Sequence, residues 1–534
     1  MSSHAARLLT LTVTVIMATH SASSAPVASG PEPDQRAAVS PSKSFAIEEA
    51  TVTQIHAALA ARAITCAQLV RAYLDRIDAY DDKGPTLHAI LAVNPRAMEI
   101  AETMDKSAGA GTSRLPLYCI PIILKDNYDT ADMPTTGGSL TLAKSIPPDD
   151  AFVVKRFREA GAIILAKANL TELALTGTTV SSLGGQTRNP YDLTRTAGGS
   201  SGGTGAAIAA NFGVLGTGSD TGQSIRSPAS ANNLVGLRPT HGLISRDGIM
   251  PFSPTQDEIG PITRTVEDAA RMLDVMAGYD AADPITAFSA GHVPLTYTAF
   301  LDRNGLKNAR IGLLTDFMGR DAIHEPVNHV VEAAVTKMRA MGATVERVSI
   351  PDLEALTRNL SLMTLEFQPA FNRYLASLGP AAPVKTFEEF MARGEFHPSL
   401  RSTLEANLRV TDGPDRPEYQ QQLRRRGELR QAVMTAIAAN KLDALLYPHQ
   451  RRLVVPLGED QVERNGVLSN STGFPALTFP GGFSTPTADA PLGVPVGIEL
   501  LGPEWTEPTL LKLAYAFEQG ARVRKPPAST PPLW

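Results

Sequence analysis

The sequence predicts an α/β fold in a single large domain, and three observations predict it. Strand-like and helix-like stretches alternate along the chain, the pattern expected of strands covered by helices. With 534 residues and 43% hydrophobic composition there is material for a large core. After residue 43 no Pro/Gly/Ser-rich linker is long enough to separate domains, and no internal repeat occurs.

Taken in order, residues 51–61 and 65–80 have helical spacing, and Thr65 stands three residues before Gln68 as in a capping box. HAILAV at 88–93 reads as a strand. LYCIPIILKD at 117–126 is a short apolar run that places Lys125 at the mouth of a buried strand. Residues 150–160 read as a helix, 162–166 as a strand and 169–175 as a short helix, whereas NPYDLTRTA at 189–197 is turn-like.

Further on, Thr265 caps a helix reaching Gly278, and RIGLL at 310–314 is a strand. A helix at 326–341 has Pro326 in its first turn and Gly342 just past its end. Residues 352–440 are mostly helical and polar, with LRRRGELR from Leu423 reading as a solvated face. Strand-like runs return at 442–447, 476–480 and 496–501, and a helix over 506–519, ended by Gly520, closes the chain.

Arg7, the apolar run 8–18 and the small residues 21–25 together resemble a secretory signal over residues 1–25, followed by a flexible leader at 26–43. The mature domain is then 44–534, and the expected location is exported, periplasmic or secreted. No later apolar run approaches a membrane span, so no membrane contact is expected after cleavage. A net charge of -5 gives no reason to expect nucleic acid as a partner. The two cysteines, Cys66 and Cys119, are expected as buried free thiols, because a chain this large needs no staple. With no CxxC and no HExxH, a metal site has no support, and no cofactor motif stands out.

Chemistry concentrates between Gly198 and Pro239, a stretch with ten glycines. It sets Ser200 and Ser224 in separate Gly-rich turns. Between them lie a helix-compatible AAIAA at 206–210, a strand-like segment at 212–215, and GTGSDTG at 216–222, which reads as a loop with free backbone N–H groups. Such a loop suits an anion or the oxyanion of acyl transfer. GGSSG at 198–202 formally matches the G-x-S-x-G nucleophile elbow, but that reading needs a strand just before it and a late histidine, and His449 is the last in the chain. A nucleotide loop is weaker still, since no GK[ST] follows GGTG. A serine can instead be activated by a neutral lysine if burial lowers the lysine pKa.

IPIILKDN at 120–127, GGSSGG at 198–203 and GTGSDTGQSIRSPA at 216–229, in that order, resemble the amidase signature family. The flanks GGQTRNP from Gly184, GLISRDGIMPFS from Gly242 and EWTEPTLLKLAYAFEQ from Glu504 look most like bacterial peptide amidases and their exported relatives. The resemblance implies a mixed, twisted β-sheet covered by helices on both faces. It also implies a Ser-Ser-Lys triad: Ser224 as nucleophile, Ser200 as a bridging serine on a cis peptide bond from Gly199, and Lys125 as base. The backbone N–H groups of Thr221, Gly222, Gln223 and Ser224 would form the oxyanion hole.

Many members carry a glycine where this chain has Gln223; the N–H survives that change, and the shape of the acyl pocket is what it alters. Asp220 and Arg226 are read as loop ties, and Ser201 as either a helix start or a catalytic group. The implied activity is metal-free hydrolysis of a carboxamide, from a small molecule or a peptide C-terminus, to an acid and ammonia or an amine. The alternatives are an amidotransferase subunit working with a partner, an amidase or esterase for small aryl or aliphatic substrates, and a non-catalytic binding protein on the same scaffold.

Overall fold

The structure is a computed structural model and describes residues 45–107 and 115–533. The expected signal segment and leader lie outside the described residues. Eleven strands form one mixed sheet. From one edge they run Ile90–Val93, Ile163–Ala168, Pro121–Lys125, Leu215–Asp220, Glu258–Thr263, Val235–Arg238, Ala476–Phe483, Pro495–Leu501, Ala444–Pro448, Arg310–Leu314 and Thr344–Val348. The strand ending in Lys125 pairs in parallel with both its neighbours, and Arg310–Leu314 does likewise at the other end; the pairings between are antiparallel.

Every residue of Pro121–Lys125, Leu215–Asp220, Glu258–Thr263 and Pro495–Leu501 is buried. Both faces of the sheet are therefore covered along its middle. Around it the helices follow the sequence reading closely. Val52–Ala60 and Cys66–Tyr80 each begin with a capping box, from Thr51 with Gln54 and from Thr65 with Gln68. Val266–Met276 starts at Thr265, whose side chain accepts from the Asp268 N–H. Among the described residues, no helix is long and apolar enough to cross a membrane.

Several local expectations are corrected. The run 216–220, expected as open loop, is the inner part of the strand Leu215–Asp220, and 212–214 only leads into it. The glycines serve close packing rather than turning. A Cβ on Gly216 would lie 2.5 Å from Thr204 Cγ2 and 2.7 Å from Ile208 Cγ1, so the helix Gly202–Ala209 sits directly on this strand. Residues 169–175 form only one tight turn, Glu172–Ala174, and 189–197 contribute to a two-stranded ribbon. The closing helix runs through Gly520 to Ala521 and ends at Arg522 in the left-handed region.

Cys66 and Cys119 form a disulfide instead of standing free. The fold brings the first residue of the helix Cys66–Tyr80 beside the turn that enters the lysine strand. The Cα atoms are 5.7 Å apart, within the span of a disulfide, and both residues are fully buried.

The region 352–440 is helical, as expected. Its longest helix, Pro417–Ala439, is not wholly solvated: Arg426 turns inward with Leu429, Val433 and Ile437, and donates to Gln256 Oε1 at 2.9 Å and to the Leu360 carbonyl at 3.1 Å. The helix Met363–Ser377 and its neighbours build a second aromatic core from Phe367, Phe371, Phe387 and Phe390, which packs on Met250 and Phe252.

Candidate active site

The strand Pro121–Lys125 carries four buried apolar residues and then a lysine that is itself fully buried. Lys125 Nζ lies 2.7 Å from Ser200 Oγ, 2.8 Å from Ser219 Oγ and 3.4 Å from the Ser219 carbonyl. No carboxylate pairs with it among the described residues. Desolvation lowers its pKa to about 7, against the pull of Asp220 and Asp257, which favour the charged form.

A lysine neutral near pH 7 has two N–H bonds and one lone pair. If Ser219 takes the N–H groups, the lone pair faces Ser200. Asn127 Nδ2 donates to Ser219 Oγ at 3.1 Å, and the hydroxyl's second lone pair is left to accept from Lys125.

Ser200 is fully buried and follows a cis peptide bond from Gly199. Thr179 ties this turn down: its hydroxyl donates to the Gly198 carbonyl at 2.7 Å and accepts from the Gly202 N–H at 3.0 Å. The Ser200 carbonyl accepts from the Thr171 N–H at 3.0 Å. Ser201 opens the following helix without a side-chain cap; its hydroxyl donates instead to the Ser219 carbonyl at 3.3 Å.

Ser224 is half-buried, and its Oγ forms no hydrogen bond with a described residue. Its carbonyl accepts from the Ser201 N–H at 3.3 Å, which fastens the second serine turn to the first.

The loop between Asp220 and Ser224 is held by its carbonyls. Gln256 Nε2 donates to the Thr221 carbonyl at 3.2 Å. Arg226 Nη2 and Asn470 Nδ2 donate to that of Gly222 at 2.7 and 3.0 Å, and the Ser227 N–H to that of Gln223 at 2.8 Å. The N–H groups of Thr221, Gly222, Gln223 and Ser224 have no described acceptor. Four fixed donors without partners, beside an accessible serine, have the form of an oxyanion hole.

Beneath the loop lies a buried ionic cluster. Arg226 reaches Asp220 at 3.1 Å and Glu499 at 2.7 Å, and Arg238 also contacts Asp220. Burial alone would raise the Asp220 carboxyl, but Arg226 and Arg238 hold it well below its ordinary value. Asp220 and Arg226 are thus the structural ties the sequence suggested. His449 belongs to the same cluster through Glu499, at 2.7 Å from Nδ1, and among the described residues no histidine hydrogen-bonds either Ser200 or Ser224. That removes the G-x-S-x-G elbow reading.

Thus Lys125, Ser200 and the Thr221–Ser224 loop converge. Sequence reasoning missed Ser219, Asn127, Thr179 and Arg464; the last sits beside Gln223. A cavity of about 190 Å³ opens next to the lysine, lined by Asn127, Ser219, Thr221, Met250, Phe252 and Asp257, among others.

A family model described as Amidase matches residues 68–511. The chain belongs to the amidase signature family. It is 34% identical to a probable amidase of Arabidopsis thaliana over 508 residues, 91% of this chain and 93% of that protein. It is 35% identical to a glutamyl-tRNA(Gln) amidotransferase subunit from Moorella thermoacetica, over 86% of this chain and 94% of that one. Among solved structures it is similar to the native peptide amidase of Stenotrophomonas maltophilia, with TM-score 0.80, 36% identity, and 90% and 99% coverage of the two chains. This amidase signature protein is accordingly an amide-hydrolysing enzyme with the family's α/β domain, and the likeness to peptide amidases expected from its flanks is present.

Proposed function

We propose that this amidase cleaves carboxamides, peptide C-terminal amides foremost, through Ser224, Ser200 and Lys125. The observation that carries the reading is the 2.7 Å contact of a buried, unpaired Lys125 Nζ with Ser200 Oγ. Ser224 Oγ attacks the amide carbon as its proton passes to Ser200 Oγ, and the Ser200 proton passes to Lys125 Nζ. The carbonyl oxygen becomes an oxyanion among the N–H groups of Thr221 to Ser224. The protons return along the same route to the departing nitrogen, which leaves as ammonia or an amine. Water, deprotonated through the same pair, then attacks the acyl-Ser224 ester and releases the acid. No step calls for a metal or cofactor.

Peptide amides lead because the structural likeness to a peptide amidase, TM-score 0.80 at 36% identity, exceeds that to the glutamyl-tRNA(Gln) amidotransferase subunit from Thermotoga maritima, 0.68 at 25%. Mature protein is incubated with a C-terminally amidated peptide, its free acid and a simple aryl amide, and ammonia is measured. Release from the amidated peptide is expected. Ser224→Ala and Lys125→Ala should each lower turnover by about 10⁴-fold or more, as for groups acting as one unit. Intact turnover in either variant refutes the triad, and reaction of the aryl amide alone refutes the peptide preference.

Export belongs to the same proposal. It is supported by the signal-like residues 1–25 and by a disulfide, which persists in oxidising compartments. Fractionation that finds an uncut chain in the cytoplasm overturns it.

A further inference from the structure

Arg464 stands between the two serine turns. Its guanidinium fills the space a side chain on Gly177 would occupy, and the Gly177 backbone lies 2.8 Å from where a Cβ on Gly199 would be. On its other side, the Gln223 amide, turned as its neighbours require, accepts from Arg464 Nε at 2.9 Å and Nη2 at 3.3 Å. The same guanidinium therefore borders the turn that holds Ser200 and the loop that precedes Ser224.

What Arg464 lacks is an anion. No described carboxylate pairs with it, and the charges it feels are Asp220, already engaged by Arg226 and Arg238, and the like charge of Arg226. Desolvation, only partly offset by Asp220, draws it below the ordinary guanidinium value. A guanidinium has five N–H donors in a planar fork suited to a carboxylate. Gln223 takes two of them, and the Nη1 pair has no described acceptor. A half-buried cation in this state is favoured by any ligand that brings a negative charge to it.

We propose that Arg464 is an anion subsite of the amidase, binding a carboxylate that the substrate carries next to the scissile amide. Gln223 steers it: the side chain that departs from the family's glycine orients the fork while the Gln223 N–H remains in the oxyanion loop. The inference rests on the proposed amidase site for its geometry, and it deepens the substrate class from amides in general to acidic amides.

The test uses N-acetyl-glutamic acid α-amide and N-acetyl-methionine amide, a charged and a neutral side chain of similar size. Binding is measured on the Ser224→Ala protein, which needs no turnover, and kcat/KM on the active enzyme. The Glu amide should bind at least tenfold more tightly and react at least tenfold faster than the Met amide, with the preference falling as salt is raised. In Arg464→Gln the ratio should drop to near unity, whereas Arg464→Lys should retain a fraction of it.

Equal binding of the two amides by Ser224→Ala overturns the subsite. So does a preference that survives in Arg464→Gln, or an Arg464→Gln loss equal on both amides, which marks a purely structural tie. A binding preference without turnover of either amide would support the subsite and sink the hydrolytic reading instead.

Discussion

The lysine is the most exposed point of the mechanism to measurement. Lys125 titrates near 7 in the folded protein because it is fully buried, against an ordinary value of 10.5 in the unfolded chain. Below pH 7 both states hold the proton and the full cost of burying the charge is present. Between 7 and 10.5 the unfolded state binds more protons than the folded one, so stability contributed at this site rises with pH. At pH 7 the cost of keeping Lys125 in place is about 4 kcal/mol, and it fades as pH approaches 10.5, at about 1.4 kcal/mol per unit.

Lys125→Met removes the titration while roughly keeping the volume. Urea unfolding of both proteins at pH 7.5, 8.5 and 9.5 should therefore show the variant more stable at the lowest pH. The gap should close by about 1.4 kcal/mol per pH unit. In the active enzyme the same group gives the acid limb of kcat/KM, with the rate falling about tenfold per unit below pH 7 as the lysine takes up a proton. Parallel stability curves for the two proteins, or a flat rate from pH 5 to 8, would refute the argument that burial keeps Lys125 neutral.

Other perturbations follow from the same geometry. Ser219→Ala takes away the partner that aims the lysine lone pair, and should lower kcat more than it raises KM, with a displaced acid limb in the pH profile. Arg226→Met takes the guanidinium from Glu499 and leaves Asp220 with Arg238 alone, and should cost about 3–5 kcal/mol in chemical denaturation, with full stability retained a sign that the cluster is not coupled. Removing the Cys66–Cys119 bridge frees a loop of 53 residues, and a paired Cys→Ala variant should lose up to about 4 kcal/mol relative to the oxidised protein. Gly216→Val drives a side chain into Thr204 and Ile208; a loss of about 1–3 kcal/mol is expected, and unchanged melting would mean the helix can retreat from the strand.

Much of this was legible before the structure. Helices with strong caps, such as those after Thr51, Thr65 and Thr265, and strands of unbroken apolar residues, such as those ending in Lys125 and beginning at Arg310, fall where residue pattern puts them, within a few positions at each end. The glycines of 216–220 misled because a glycine needed for close approach looks the same in sequence as one needed for a turn. That error hid Ser219. Once 215–220 is a strand, the two-residue alternation puts Thr217 and Ser219 on one face, and both meet Lys125, at its N–H and its Nζ.

Arg426 was hidden differently. Charge density in LRRRGELR pointed outward, but Arg426, Leu429 and Val433 follow helical spacing and turn in together. Nothing local marked Arg464 or the disulfide, because each depends on segments far apart in the chain.

Ser200 and Ser224 flank one continuous helix-and-strand unit, whereas the helices beyond residue 352 reach it at its edge. Met363 Cε lies 3.1 Å from the position a Cβ on Gly222 would take, and Glu366 is bonded to Ser253 and Thr255. A chain built this way can inherit its chemistry and its selectivity separately. Substitutions, insertions or exchanges among the outer helices leave the spacing of the two serines untouched, since that spacing is written within a single short stretch. Descendants of such a protein can therefore drift across amide substrates while the reacting atoms stay in register, and directed evolution aimed at new substrates has its freest ground in residues 353–439.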